Sequence, residues 1–380
     1  MSDRAPLIYI HQGNQTPAVV QGFLELRGQM SGEPLGATVF LPRYVPSTSR
    51  GVIADFAATA SSVIADPESH RLELPFSERG RGRNETSYLQ ESDPIANRQR
   101  FVEGVLAAQI DAGATELVSP WLTHGINPAT KNLRASLRFA EEAASHALST
   151  GRPLFFGFAV TQQVLADGDL RDDFLDQLVE LPEGDIYLRV RVTPPASYQQ
   201  YADVAALTGL RVVVEQLAKN GRSTVLPQSG LSGWLMLPFG AAAFGTGINA
   251  SLQRFAEPTD GFGQQPLDWY FLPQLLGFVL RQEAMIISKV PGYRQCECPY
   301  CERLALGGGA WNKLDAGLHY LWCAARFAAE VSKPGRSQAQ ALQALLATAQ
   351  DFWTTVQRSS VQLDRRSEPR HLGVWSEVVA

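Results

Sequence analysis

From about residue 50 to residue 275 the chain repeats one unit: a short β-branched or aromatic apolar run, a small or polar residue, then a segment with helical spacing of apolar positions. Short runs rich in β-branched and aromatic residues predict strands, and a period near 3.6 predicts helices. Strands are expected at Gly51 to Asp55, Glu116 to Pro120, Leu154 to Ala159, Ile186 to Val192, Leu210 to Glu215 and Gly233 to Pro238. A seventh and an eighth are expected near Ala243 to Ile248 and Trp269 to Leu272. Helices fit between them at Arg98 to Ala112, Lys131 to Ser149, Leu170 to Val179 and Tyr198 to Thr208. The first of these carries Phe101, Val105, Ala108 and Ile110 on or near one face and stops at Gly113. Such alternation points to parallel strands with crossover helices. Eight units would close an α/β fold of the (β/α)8 TIM-like barrel type, and a doubly wound open sheet is the alternative.

Residues 76 to 97 interrupt the pattern with a polar, turn-rich stretch that carries Arg79, Arg81 and Arg83. A long loop after the first strand would lie on the side of a barrel where active sites gather, and a solvated surface insertion is the plainer reading. Beyond residue 290 the pattern changes to a cysteine cluster, a glycine joint at 307 to 309, and helices from about 313 to 332 and 337 to 358. The division expected is therefore a barrel over 1–290 and a C-terminal helical appendage over 291–380 that carries the cysteine cluster. The tail holding Arg365, Arg366 and Arg370 reads as irregular.

Hydrophobic residues make up 45% of the chain and charged residues 19%, enough apolar side chain for a sizeable core. The formal charge of −5 supplies no global basic field, so any contact with nucleic acid must be local. No stretch reaches the roughly 18 uninterrupted apolar residues of a membrane span, and the opening MSDRAPLIYIHQ does not read as a leader. A soluble cytoplasmic protein with no membrane partner is expected.

Three of the four cysteines fall within CECPYC at 296 to 301, too close together for a distributed disulfide framework. Cys296, Cys298 and Cys301 can turn three thiolates inward on one tight turn, and zinc favours four nitrogen or sulfur ligands in a tetrahedron. His319 and Cys323 lie one helical turn apart in LDAGLHYLWCAARFAAEV and compete for the fourth place. A closed four-ligand site has no open position for water and holds structure together rather than catalysing.

CECPYC followed by that helix resembles the zinc motif of the tRNA-guanine transglycosylase superfamily, including its relatives that act on DNA. The resemblance covers about 40 residues. It implies one structural zinc on Cys296, Cys298, Cys301 and His319, a zinc-bearing (β/α)8 barrel, and a pentosyltransferase that exchanges a guanine-type or 7-deazaguanine base. The stretch between Cys301 and His319 is shorter than in the family, and its usual Ser-Arg-Ala-Tyr run is missing. The family's two aspartates stand in Asp-Ser-Gly-Gly-Phe-Gln and Phe-Asp-Cys contexts. Here the corresponding places read Asp55-Phe56-Ala57 and Asp268 to Pro273, and neither motif is intact.

Base exchange needs one carboxylate to attack or stabilise C1′ and a second carboxyl group to handle the departing base. Asp55 and Asp268 are the candidates on position, with helix capping and a strand-edge role as their plainer readings. Glu215 and Gln216 would stand at a strand end and could face a base, or Glu215 could pair with Arg189 or Arg191. His124 could act as acid, base or stacking partner of Trp121, or be a plain loop histidine. Gly245 and Gly247 in Phe244 to Asn249 resemble the family's base-recognition loop and could equally form an empty turn or an anion cradle. The partners implied are a purine-type base and tRNA or DNA held by local arginine patches, within a homodimer or a multi-subunit assembly. The broken aspartate motifs make a non-catalytic binding or assembly module the second expectation, and a barrel enzyme acting on a small molecule the third.

Overall fold

The computed structural model describes residues 7–12, 17–30, 35–41, 60, 62–74, 87–126, 129–193, 198–256, 268–304, 306, 310–333 and 335–380. Its centre is a parallel sheet of eight main strands: β1 (Ile8–Gln12), β2 (Leu35–Phe40), β3 (Ser62–Asp66), β4 (Leu117–Val118), β6 (Leu154–Thr161), β7 (Asp185–Val192), β8 (Thr224–Leu226) and β9 (Ala241–Gly247). They run in the order β3-β2-β1-β9-β8-β7-β6-β4, and two short strands, β5 (Thr123–His124) and β10 (Phe255–Ala256), pair with β6 and β7. The sheet is strongly curled. Its first and last strands meet at a parallel bridge between Ile64 and Glu116, supported by the Thr115 N–H donating to the Val63 carbonyl at 2.9 Å.

The alternation of side chains along each strand sorts two cores. On β7, Ile186 and Leu188 join the large outer core under the helices, whereas Tyr187 points to the inner face. Tyr9, Ile64, Phe155, Tyr187, Val225 and Ala243, from six strands, meet in one inner cluster, which only a wrapped sheet allows. Helices Arg98–Asp111, Ala129–Thr150, Gly168–Val179 and Val204–Lys219 follow or precede strands as the crossover pattern requires.

Several expectations are corrected. Leu210 to Glu215 is not a strand but part of helix Val204–Lys219, in which Leu207, Leu210, Val214 and Leu217 are buried at three- and four-residue spacing. Asp203 caps that helix by accepting from the Ala206 N–H at 3.0 Å, so the cap and the 3.6 period override the β-branched run. Gly233 to Pro238 is also not a strand. It spans the end of helix Gly230–Trp234 and a 3₁₀ turn, and its burial on every side hides any period. Trp269 to Leu272 is a strand, β11, but it forms an antiparallel hairpin with β12 (Gly277–Leu280) instead of completing the main sheet. The helix expected from Tyr198 begins only at Val204. Strands β1, β2, β3 and β8 were not expected. Gly51 to Asp55, residues 76–86 and the three arginines of that loop lie outside the described residues, while Tyr88 and Leu89 from its second half are buried.

The C-terminal region is helical over Lys313–Val331 and Gln338–Arg358; the stretch with Arg365, Arg366 and Arg370 is irregular as expected, but a further helix, His371–Val379, follows it. One continuous apolar core joins these helices to the outer face of the sheet across residue 290. Among the described residues no helix is long and apolar enough to cross a membrane.

His371 anchors the last helix. Its Nε2–H donates to the Leu275 carbonyl at 3.2 Å and its ring stands edge-on to Trp375 at 4.5 Å. Burial, only partly offset by those backbone carbonyls, pushes its pKa down to about 4. The unfolded chain, with an ordinary histidine pKa near 6.5, therefore binds more protons between these values, so stability falls as pH drops through that window. We expect His371→Gln to lose about 2–3 kcal/mol less than the parent between pH 7 and pH 4.5 in denaturant titrations. An unchanged pH slope would show that His371 is not the group responsible.

Candidate metal centre and the strand-end cluster

The cysteine run lies against β11 and helix Lys313–Val331. Pro299 opens the short helix Pro299–Leu304, a position where a missing N–H costs nothing, and the Cys301 N–H donates to the Cys298 carbonyl at 3.2 Å. This turn brings the Cys298 and Cys301 sulfurs to 3.4 Å of each other. His319 reaches them from the long helix, which Asn312 caps through the Leu314 and Asp315 N–H groups at 3.0 and 3.3 Å. Its Nδ1 stands 3.1 Å from Cys298, 3.5 Å from Cys301 and 3.8 Å from Cys296.

Cys296, Cys298, Cys301 and His319 thus converge as a candidate metal site, their ligand atoms all within 4.8 Å of one another, and the four cysteines are free thiols. A tetrahedral zinc with metal–ligand lengths of about 2.0–2.3 Å places its ligands roughly 3.5–3.8 Å apart, so the donor set fits. His319 is also aimed for ligation: its Nε2–H donates to the Phe271 carbonyl of β11 at 2.7 Å, leaving Nδ1 as the lone-pair nitrogen. Tyr270 stacks on the imidazole at 4.7 Å and 9°. Burial opposes a charged His319, but Cys296 and Cys298 outweigh it and push its pKa up to about 9. The corner therefore attracts positive charge, a proton or a cation.

The same helix is fixed to the sheet by Tyr320, whose hydroxyl lies 2.8 Å from Thr246 Oγ1 on β9, and by Gly317, where a Cβ would meet the Ile248 backbone oxygen at 2.9 Å. Arg303 ties the cysteine turn to Glu25 and Asp315, each at 3.1 Å.

A second cluster sits on the inner face of the sheet, at and just beyond the C-terminal ends of its strands, the end at which parallel α/β sheets carry their sites. Arg189 on β7, fully buried, is paired with Asp66 at the end of β3 and donates to the Gln228 side chain beyond β8. Tyr187 donates its hydroxyl to the same Asp66. The guanidinium lies among the rings of Trp121, Phe255, Phe40 and Tyr187, at 5.1, 5.3, 5.6 and 6.0 Å. Burial lowers the Arg189 pKa, but Asp66 and Tyr187 more than offset it and the group is held above its ordinary value. Burial, then the charge of Arg189, pushes His11 well below the usual histidine range. His11 is thus a neutral imidazole whose Nε2 accepts the Gln228 backbone N–H at 2.9 Å.

The remaining expected site residues that the structure describes lie on different elements. Gly245 and Gly247 line β9, but the space above Gly245 is filled by the His11 ring and that above Gly247 by Leu252 and the His11 backbone. His124 is buried on β5 and stacks on Phe174 at 5.8 Å, and Trp121 stacks on His70 at 5.1 Å, not on His124. Glu215 lies on a helix and pairs with Arg211 at 2.9 Å; Arg189 pairs with Asp66, and Arg191 with Glu73 at 3.0 Å. Asp268 is partly buried just before β11, and its carbonyl accepts the Arg281 N–H at 2.8 Å. Asp55 lies outside the described residues. In the C-terminal arginine group Arg366 and Arg370 are paired with Asp364 and Glu368, at 2.8 and 2.7 Å.

His11, Asp66 and Gln228 were not singled out from the sequence, and Arg189 was considered only as a partner of Glu215. A signal for two of them exists: SVIAD closes a β-branched run on an acid, and IYLRVRV sets Tyr187, Arg189 and Arg191 on one side of a strand. No protein-family model matches the chain, and no curated protein matches it.

Purified protein is expected to hold one metal ion per chain by elemental analysis. Cys298→Ser should lose it and lower the melting temperature by several degrees in circular dichroism. Separately, Arg189→Met should cost about 3–5 kcal/mol by leaving Asp66 buried and unpaired, and adding Asp66→Asn should restore much of that loss. Additive losses in denaturant titrations would show that the two residues are not coupled.

Proposed function

We propose that this chain is a zinc-stabilised enzyme of the transglycosylase type, built on a closed (β/α)8 barrel and exchanging a guanine-type base in tRNA or DNA. The observation that carries the reading is the joining of two features on one curled parallel sheet. A Cys₃His cluster pins a helical appendage to it, and an acid, Asp66, ends an early strand inside it. The Ile64 to Glu116 bridge supports closure of the barrel. Zinc suits the donor set and, fully ligated, would hold the appendage in place without taking part in the exchange.

On this reading the early carboxylate is Asp66 rather than Asp55, because Asp66 stands at a strand C-terminus on the inner face. It would attack or stabilise C1′ as the base departs, and an acid such as Asp268 would protonate the leaving nitrogen. The incoming base reverses both steps, so no co-reactant is consumed. Entry of a base requires Arg189 to release Asp66 and leave the ring-lined space.

That same requirement favours the second reading, a non-catalytic binding or assembly module. A guanidinium bound to Asp66 and Gln228 among four rings fills the place a flat base would take.

The test is incorporation of radiolabelled guanine or a 7-deazaguanine analogue into bulk tRNA and, separately, duplex DNA. The parent is compared with Asp66→Asn, Asp268→Asn and Asp55→Asn, each checked for folding by circular dichroism. Incorporation into one polymer, reduced at least about a hundredfold in Asp66→Asn, is the expected result. No incorporation into either by a folded, metal-loaded parent would move the assignment to the binding module.

A further inference from the structure

Each corner of a coordination tetrahedron has three neighbours. Around His319 Nδ1 the structure sets four sulfurs: Cys298 at 3.1 Å, Cys301 at 3.5 Å, and Cys296 and Cys323 both at 3.8 Å. The His319 corner therefore has one sulfur neighbour more than a four-coordinate ion gives it; Cys323 is that extra neighbour, beside the four donors that lie within 4.8 Å of one another.

The extra sulfur is placed by the helix. Cys323 follows His319 by four residues within Lys313–Val331, so the two side chains project from the same face, one turn apart. Cys323 is 2% exposed, is a free thiol, and its sulfur lies 3.8 Å from His319 Nδ1. A buried cysteine is ordinarily a small apolar filler. Here its sulfur faces the same nitrogen as three candidate ligands, at the same distance as Cys296.

We propose that Cys323 is a reserve ligand, and that the centre holds a thiophilic divalent cation through two interchangeable sets. One set is Cys296, Cys298, Cys301 and His319, and in the other Cys323 takes the place of His319. The inference rests on the reading of this cluster as a metal site and deepens it. In the exchange the metal–Nδ1 bond breaks and a metal–sulfur bond forms. The proton lost by the Cys323 thiol goes to His319 Nδ1, and no oxidant or other reactant is required. Net charge is conserved, since the added thiolate is matched by an imidazolium. The Nε2–H bond to Phe271 stays in place throughout, so the ring need only tilt. The softer the cation, the further the balance moves to the four-sulfur set.

The experiment loads the full-length chain with Cd²⁺, a soft cation, and compares the parent with Cys323→Ala. Thiolate-to-cadmium absorption grows with the number of bound thiolates, so going from four to three should lower it by about a quarter. In parallel, His319→Ala should still bind one Co²⁺ per chain with a four-thiolate visible spectrum. His319→Ala combined with Cys323→Ala should hold the ion at least about tenfold more weakly. Unchanged cadmium absorption in Cys323→Ala would overturn the proposal, and this comparison decides the matter if His319→Ala fails to fold. A parent chain that binds neither ion would overturn the metal reading itself together with the reserve ligand. Metal bound normally by the parent, with Cys323→Ala indistinguishable from it, would overturn only the reserve ligand.

Discussion

The ion pair between Arg189 and Asp66 is the constraint on which the architecture turns. Counted along the sheet, β3 and β7 are five strands apart, which in a flat sheet is about 24 Å. Their side chains touch, so the sheet has to wrap until the two strands face each other. The wrap puts the strand ends around a common centre, and the inner cluster of Tyr9, Ile64, Phe155, Tyr187, Val225 and Ala243 fills the space beneath. Burying a charge there is costly unless it is matched. Asp66, Gln228 and Tyr187 provide the match, and His11 stays neutral beside it. The polar interior is thus a paired network in which only Arg189 Nε and His11 Nδ1, among the atoms of those two side chains, are buried without a hydrogen-bond partner, and this is what any bound base would have to disturb.

The candidate metal centre works on a different scale. It does not span the sheet; it lies where β11, the cysteine turn and the long C-terminal helix meet, with Cys298, Tyr300 and Leu304 buried in the adjoining apolar cores. His319 is the joint. One ring nitrogen is committed to the Phe271 carbonyl and the other to the sulfurs, so β11, the turn and the long helix share one rigid side chain. The close contacts of Gly317 and Tyr320 with the sheet act along the same helix. Metal binding and docking of the appendage are consequently expected to be one event.

These two features pull the functional reading in opposite directions. The metal motif and an acid at an early strand end favour a transglycosylase-type enzyme. The filled space around Arg189 and the pairing of Arg366 and Arg370 with neighbouring carboxylates favour a protein that has turned its interior inward. The filled space follows from a residue choice on β7, where a basic side chain stands inside the sheet.

The candidate metal cluster, the alternation of strands and helices, and the extents of the helices near Arg98–Asp111, Lys313–Val331 and Gln338–Arg358 were legible in the sequence. Each of these depends on neighbours close in the chain: CECPYC and a helix carrying His319, amphipathic periods, and stops such as Gly113. It misjudged Leu210 to Glu215 because β-branched residues also pack well in a buried helix, and Gly233 to Pro238 because a segment buried on all sides shows no period. Tertiary structure alone decided that Arg189 meets Asp66, that His11 occupies the space above Gly245, and that β11 leaves the main sheet for a hairpin. Those outcomes join residues more than a hundred positions apart in two of the three cases. No local propensity encodes them; they are fixed by which charges must be neutralised and which volumes must be filled once the sheet has curled.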